Sequence, residues 1–395
     1  MADLKIFSDI VEDSAREQID LLLSQPAFSD CKVRIMPDVH AGAGCVIGFT
    51  ANLGEKVIPN IVGVDIGCGM LTVDLGKIDI DYEKLDEVIR VNIPSGMSVH
   101  SFRTTPEELL TELNCCTALK NIERLRSSMC TLGGGNHFIE VDQNLEGNKY
   151  LIIHTGSRNL GKQVAEYYQD LAIKKKGDEG NFLRAKDELI SFLKGQGREK
   201  EIESSIKVLR GLFNRTVLSK ELAYIEGDDR AWYIHDMQIC QRFASLNRNL
   251  IALSICIAMK WKPISSFETI HNYIALETNM VRKGAISAKK GEKVLIPLNM
   301  RDGCIIGIGK GNEDWNCSAP HGAGRIMSRG QAKKKVSLEE YQQSMEGIFT
   351  TSVSTMTIDE APQAYKPSAE ILKYIEETVE VVDLIKPVYN FKAEE

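Results

Sequence analysis

Hydrophobic positions along the chain follow two rhythms. Short β-type runs, Val57-Ile58, Ile61 to Val64, Phe138-Ile139 and Leu151 to Ile153, are bounded by turn residues and predict strands. Between such runs, apolar residues recur every three or four positions. That spacing predicts helices over Leu160 to Lys176, Phe182 to Leu222 and Trp232 to Met259, the last as one long helix or a helix pair. Ser337 followed by Glu340 has the form of a capping box and opens a helix running to Gly347. Ser368-Ala369-Glu370 begins a last helix, after which Lys386-Pro387-Val388-Tyr389 breaks into a strand-like tail. The pattern predicts an α+β fold built as a single domain over residues 1–395. Its core of mixed sheets is surrounded by helices, with a Lys-, Glu- and Arg-rich helical insertion at 180–225.

Composition narrows the class. The chain has 395 residues, 43% of them hydrophobic and 26% charged, which excludes disordered, collagen-like and coiled-coil proteins. The longest apolar run, Leu250 to Met259, is too short to span a bilayer, and no apolar stretch follows Met1-Ala2-Asp3-Leu4-Lys5. A soluble, cytoplasmic protein with no membrane partner is expected. The net charge of −7 argues against nucleic-acid binding by overall charge, while leaving a local basic groove open. Ten cysteines with no CxxC pair point to reduced thiols, not to a disulfide framework or a zinc ribbon.

Candidate chemistry sits where glycine and histidine cluster. His40, His137, His154, His271 and His321 lie beside Gly, Asn or Asp in turn-like contexts, whereas His100 and His235 look like ordinary helix or surface residues. One such histidine is usually structural; five point to a shared site. Asp65 and Cys68 stand three apart in a glycine-rich turn that lets a carboxylate and a thiolate converge. With His137, His154 and His271 they form a mixed oxygen, sulfur and nitrogen donor set. It would serve two ions if the thiolate bridged them, although spacing alone leaves this open. Gly133-Gly134-Gly135-Asn136 could turn consecutive backbone N–H groups toward a phosphate, or be a plain turn. In His321-Gly322-Ala323-Gly324-Arg325, an imidazole and a guanidinium can meet one phosphate, and a neutral imidazole is a competent nucleophile toward phosphorus. Arg282 and Lys283 offer further phosphate contacts or a solvated turn.

Taken in order, these segments resemble the RtcB family of RNA-splicing ligases. The resemblance runs from Met36 to Lys392. It is carried by Pro-Asp-Val-His at 37–40, Gly-Val-Asp-Ile-Gly-Cys-Gly at 63–69, Leu-Gly-Gly-Gly-Asn-His-Phe-Ile-Glu at 132–140 and His-Thr-Gly-Ser-Arg at 154–158. His271-Asn272, Arg282-Lys283-Gly284-Ala285 and His-Gly-Ala-Gly-Arg at 321–325 complete the set. It implies a GTP- and Mn2+-dependent ligase that joins an RNA 3′-phosphate or 2′,3′-cyclic phosphate end to a 5′-hydroxyl, in RNA repair or tRNA splicing. Some family members need an activator such as archease. By matching position, Cys68 would bridge two Mn2+ ions, one also held by His154 and His271, the other by Asp65 and His137. His321 would attack the α-phosphate of GTP and carry GMP.

The same resemblance implies the nucleotide contacts. Asn136 and Asn272 would donate to phosphate oxygens, Glu140 would read guanine N1–H and the 2-amino group, and Lys392 would donate to O6. Lys283 and Arg325 would meet phosphate or RNA. His137, Phe138, Ile139, His271, Gly322, Ala323 and Gly324 belong to the same nucleotide-binding stretches. The chain departs from the family at Pro297-Leu298-Asn299-Met300-Arg301-Asp302, where Pro-Gly-Ser-Met-Gly is usual, and at Cys304, near a nucleotide-contacting serine. Pro320 is also an uncommon neighbour for His321. Two other classes compete with the ligase: a di-metal phosphoesterase acting on RNA ends, which has no need of His321, and a non-enzymatic metal- or RNA-binding scaffold.

Overall fold

Strand register sets where the chemistry-bearing residues lie. The computed structural model describes residues 2–176, 178–213 and 220–393. Its largest sheet runs, in spatial order, Lys293–Asn299, Gly303–Gly309, Val379–Lys392, Phe138–Gln143, Lys149–Thr155, Gly69–Gly76 and Ser265–Ile270, with Phe349–Thr350 beside Val379–Lys392. A second sheet joins Asp3–Ile6, Lys32–His40, Ile47–Asn52, Met280–Lys283 and Tyr273–Ala275, and a ribbon pairs Ala285–Ser287 with Ser318–Pro320. Helices cover these sheets, giving the mixed α+β architecture that the alternating patterns predict.

The region from Trp232 to Met259 is one helix and begins earlier, at Gly227. Asp228 and Asp229 in its first turn complement the positive end of the helix dipole. Ile251 and Ile255 pack on Leu71, Val73, Leu151 and Ile153 of the large sheet. The helix also buries polar residues: Asn247 and Arg248 are fully enclosed beneath the candidate site. Ser337 and Glu340 form the expected capping box, closing a helix over Leu338–Ser344. Helices Asp178–Gly195 and Ile202–Phe213 occupy part of the segment read as helical from Phe182 to Leu222; positions 214–219 of that segment lie outside the described residues.

Two strand expectations fail. Val57-Ile58 and Ile61 to Val64 do not make strands; Pro59–Ile61 is a turn of 3-10 helix between them. Val57 makes a single antiparallel bridge with Ile225, and Pro59, which lacks a backbone donor and fixes its own φ, keeps the run from extending it into a ladder. Its apolar side chains are core plugs instead, with Val57, Ile58, Ile61 and Val62 fully buried. The C-terminal strand begins at Val379, well before Lys386. It tolerates Pro387 because its register with Phe138–Gln143 shifts between Pro387 and Tyr389, where a ladder donor is not required.

Candidate active site

Four antiparallel neighbours of the large sheet end in one row. Gly69 lies opposite Thr155 and Ile270, and Phe138 lies opposite both His154 and Lys392. Cys68 immediately precedes one strand, His271 follows the next, His154 is the last residue but one of a third, and His137 precedes a fourth. Adjacent strands stand about 4.8 Å apart, so side chains at this edge meet without any local sequence proximity. The His271 N–H donates to the Cys68 carbonyl at 2.8 Å, fixing the two chain ends side by side. Gly67 makes the approach possible: its φ is +70°, and a Cβ there would lie 2.9 Å from the Gln241 backbone.

The donors converge as their types require. Cys68 Sγ lies 3.3 Å from His154 Nε2 and 3.5 Å from His137 Nε2, and His137 Nε2 lies 3.0 Å from Asp65 Oδ2. Ligand atoms of Cys68, His154 and His271 all fall within 4.8 Å of one another, as do those of Asp65, Cys68 and His137. The sulfur is common to both groups. His137 Nδ1 donates to the Leu132 carbonyl at 2.9 Å and His154 Nδ1 to the Asn136 carbonyl at 3.2 Å. A carbonyl only accepts, so each Nδ1 carries the proton and each Nε2 keeps a lone pair aimed at the sulfur.

This arrangement fits a cation. His137 Nε2, as an acceptor, faces the Asp65 carboxylate and the Cys68 sulfur, and His271 Nδ1 is buried without a hydrogen-bond partner. Burial holds His154 and His271 well below the usual imidazole range, with neighbouring histidine rings adding to the shift, so both are neutral donors. Burial and the Asp65 carboxylate push the Cys68 thiol up, which a bound divalent ion would reverse. Beneath the row, Arg248 donates to the Gly67 and Thr155 carbonyls at 3.0 and 2.7 Å. Asn247 exchanges hydrogen bonds with Thr131 and donates to Gly156.

A 540 Å³ cavity opens from this row. His154 belongs to both, and the His271 and His321 ring centres are 4.7 Å apart. His321 follows the strand Ser318–Pro320. Its Nδ1 lies 2.6 Å from Oδ2 of Asp38, a fully buried residue of strand Lys32–His40, and its backbone N–H donates to the same oxygen at 3.1 Å. An ionised carboxylate can only accept, so Asp38 holds the proton on Nδ1 and leaves Nε2 free. Glu140, Asn390, Glu360 and Lys392 line the far wall. Glu360 receives Lys392 Nζ at 2.6 Å, Arg329 at 2.7 Å, Arg325 at 3.3 Å and the Tyr365 hydroxyl at 2.6 Å.

Comparison with known proteins agrees with the motif order. The family profile described as tRNA-splicing ligase RtcB matches residues 23–120 and 111–393. The chain belongs to the RtcB family. It is 29% identical over 425 residues to the RNA-splicing ligase RtcB of Escherichia coli, covering 97% of this chain and 95% of that protein. Identity to the tRNA-splicing ligase RtcB of Archaeoglobus fulgidus is 27% over 456 residues, covering 93% of this chain and 88% of that one. The tRNA-splicing ligase RtcB of Nanoarchaeum equitans is 26% identical over 453 residues, covering 91% and 87%.

Measured against the RtcB expectations, most nucleotide-contact candidates reach the cavity. Asn136, Phe138, Glu140, Pro297, Leu298, Asn299, Met300, His321, Gly322, Ala323, Gly324, Arg325 and Lys392 all line it. Several others do not. Ile139 points to the opposite face of its strand, into the apolar layer with Leu71 and Val141, because strand side chains alternate. The Lys283 ammonium is buried and donates to the Ala43 and Asn60 carbonyls. Arg282 is likewise enclosed, on Ser318, Tyr273 and the Asn316 carbonyl. Asn272 ties two loops together, donating to the Asp65 carbonyl and accepting from Gly284 N–H. Cys304 lies behind Glu140, 3.8 Å from Oε1. Gly133 serves another purpose than an open phosphate nest: a Cβ there would overlap the Arg158 guanidinium.

Sequence reasoning missed Asp38, Glu360, Arg329, Tyr365, Asn390, Asn247 and Arg248. Asp38 stands inside the quoted Pro-Asp-Val-His segment, so its signal was present. Asn247 and Arg248 interrupt the apolar pattern of a helix otherwise facing the core, which was also visible. All ten cysteines are free thiols. Among the described residues, no helix is long and apolar enough to cross a membrane.

Proposed function

We propose that the protein is an RNA ligase that uses GTP and two Mn2+ ions to join an RNA 3′-phosphate or 2′,3′-cyclic phosphate end to a 5′-hydroxyl, with His321 as the nucleophile. The observation that carries this reading is the Asp38–His321 pair, set between the shared-thiolate donor row and a nucleotide-sized cavity. Cys68 with His154 and His271 would hold one ion, and Cys68 with Asp65 and His137 the other. Bound there, the ions would neutralise phosphate charge and polarise phosphoryl oxygens.

The remaining work falls to side chains. Asp38 keeps Nδ1 protonated, so Nε2 presents its lone pair to the α-phosphorus of GTP. As the P–N bond forms, pyrophosphate departs, and Asp38 stabilises the charge that develops on the ring. Water first opens a 2′,3′-cyclic end to the 3′-phosphate, which takes GMP from Nε2 and restores the neutral imidazole; the 5′-hydroxyl then displaces GMP. Asn136 is placed to donate to phosphate, and Glu140 to accept from guanine N–H groups at the far end of the cavity. Ten unpaired thiols fit a reducing compartment, and we place the reaction in the cytoplasm.

The test is incubation of the metal-loaded protein with GTP radiolabelled in its α-phosphate. An acid-labile label on wild type that is absent from His321→Ala, with loss of RNA sealing in the same variant, is expected. A phosphoesterase would release product from RNA ends without labelling. An unlabelled, metal-replete wild type, or equal sealing by His321→Ala, contradicts the ligase reading.

A further inference from the structure

The strand Phe138–Gln143 divides its side chains between two environments. Ile139 and Val141 enter the apolar layer, whereas Phe138, Glu140 and Asp142 share the other face. Phe138 and Glu140 reach the cavity. Asp142 lies deeper and is fully buried. There a carboxylate oxygen of Glu140, one of Asp142 and the Cys304 sulfur all lie within 4.8 Å of one another. Cys304 belongs to an apolar cluster with Met70, Ile152, Ile306 and Ile385.

The two carboxyl groups are partnered differently. Glu140 Oε2 accepts from Asn390 Nδ2 at 2.6 Å, and its Oε1 faces the Cys304 thiol. Neither Asp142 oxygen has a conventional hydrogen-bond partner among the described residues. On the adjoining strand Val379–Lys392, Lys392 is bound to Glu360 and Lys386 to the Asp302 carbonyl. Across the other edge, Tyr150 stands opposite Asp142 in register. Among the described residues, no ammonium or guanidinium bonds the carboxyl pair. Two carboxylates in contact, in surroundings this apolar, cannot both be ionised. Burial raises both carboxyls; for Glu140 the Asn390 hydrogen bond and the Lys392 charge oppose the rise, whereas for Asp142 the Glu140 charge adds to it and carries it well above the usual carboxylate range.

We propose that Asp142 is a positioning residue: it keeps its proton, donates it to Glu140, and so holds Glu140 ionised and turned toward the cavity, where it selects a base edge with two N–H donors. The role rests on the reading of the cavity as a guanine-nucleotide site. Cys304 completes the cradle from below, its sulfur facing Glu140 Oε1.

Three measurements on the full-length protein test it. Infrared spectra of the nucleotide-free protein near neutral pH should contain a protonated-carboxyl C=O band that disappears in Asp142→Asn. Calorimetric binding of GMP, IMP and AMP, which needs no turnover, should give a preference for GMP. Asp142→Asn, whose amide still donates, should rescue that preference, whereas Asp142→Val should reduce it by about tenfold. Equal loss in both variants overturns the positioning role. Metal analysis separates the proton from an ion: a metal lost from both Asp142→Asn and Cys304→Ala, with the Cys68 donor set still loaded, overturns the proposal. An absent band with the GMP preference intact overturns the shared proton alone. A band with no GMP preference in wild type overturns the base-reading function, and with it this role. The infrared and metal measurements hold even where Asp142→Val fails to fold.

Discussion

The donor row and the far wall of the cavity adjoin, yet different forces hold them. In the row, strand register brings Cys68, His137, His154 and His271 together, and backbone carbonyls of Leu132 and Asn136 orient two of the rings. Its imidazoles at 154 and 271 are neutral, and buried Arg248 and Asn247 brace the backbone beneath. The wall around Glu360 is instead a charge network: one buried carboxylate gathers Lys392, Arg325, Arg329 and a tyrosine hydroxyl. A site made by register depends little on pH in its shape but loses everything with one donor. A wall made by charge pairing is linked to pH and tolerates single changes at its rim.

The sharpest way to break this contrast is in the row. His154→Ala removes a donor that both the metal-type cluster and the cavity use, and should lower metal retention and RNA sealing by more than the ~10- to 100-fold typical of losing an outer partner. Metal content after dialysis is the readout, and a variant with its full metal complement would contradict the assignment. Next comes His321, the proposed nucleophile. Asp38→Asn should slow labelling of His321 by ~10²- to 10⁴-fold, because a neutral amide cannot stabilise the charge that develops on the ring. Nucleotide affinity should be nearly unchanged; a matching loss of affinity would make Asp38 a folding residue only.

In the wall, the sign of the pH effect is the test. Burial alone would raise the Glu360 carboxyl, but the charges of Lys392, Arg329 and Arg325 outweigh it and hold the group down from 4.5 to about 2. A depressed carboxylate stabilises the folded state above its unfolded value, and that contribution is lost as pH falls toward the folded value. Glu360→Gln should therefore be less stable than wild type by about 3 kcal/mol near neutrality, the gap closing between about pH 4.5 and about pH 2. Denaturant midpoints across that range measure it, and a gap independent of pH would sink the charge-network account. The smallest effect is expected at the divergent loop. Asn299 accepts from the Arg301 and Asp302 N–H groups and donates to Asp302, so Asn299→Ala should cost about 1 kcal/mol. Its effect on GTP affinity, by titration, should stay within about threefold.

What could be read without coordinates divides along the same line. Gly67 and Cys68 carried their chemistry in local context, and the histidines that mattered stood beside glycine, asparagine or aspartate. His235 was rightly set apart: its side chain is half exposed on the long helix. Lys283 and Arg282 looked like phosphate contacts because basic residues before a glycine usually face solvent. Burial against the Ala43, Asn60 and Asn316 carbonyls gave them partners within the protein instead. Val57 to Val64 looked like strand because apolar content was legible, whereas it was not legible that pairing stops at a single bridge between Val57 and Ile225.

By itself the sequence determined the residue types, the glycine turns, the helix caps and the family, since these depend on neighbours a few positions apart or on motif order. Only the tertiary structure decided which acceptor orients His321, which cations surround Glu360, and that Ile139 and Glu140 look into opposite worlds. The His321–Asp38 contact joins residues 283 positions apart, the Glu360 cations come from separate elements 31 to 35 positions away, and the Ile139–Glu140 division depends on which side of a sheet each side chain emerges. A register slip of one residue in that strand would exchange Ile139 and Glu140 between the two faces without changing a single local pattern.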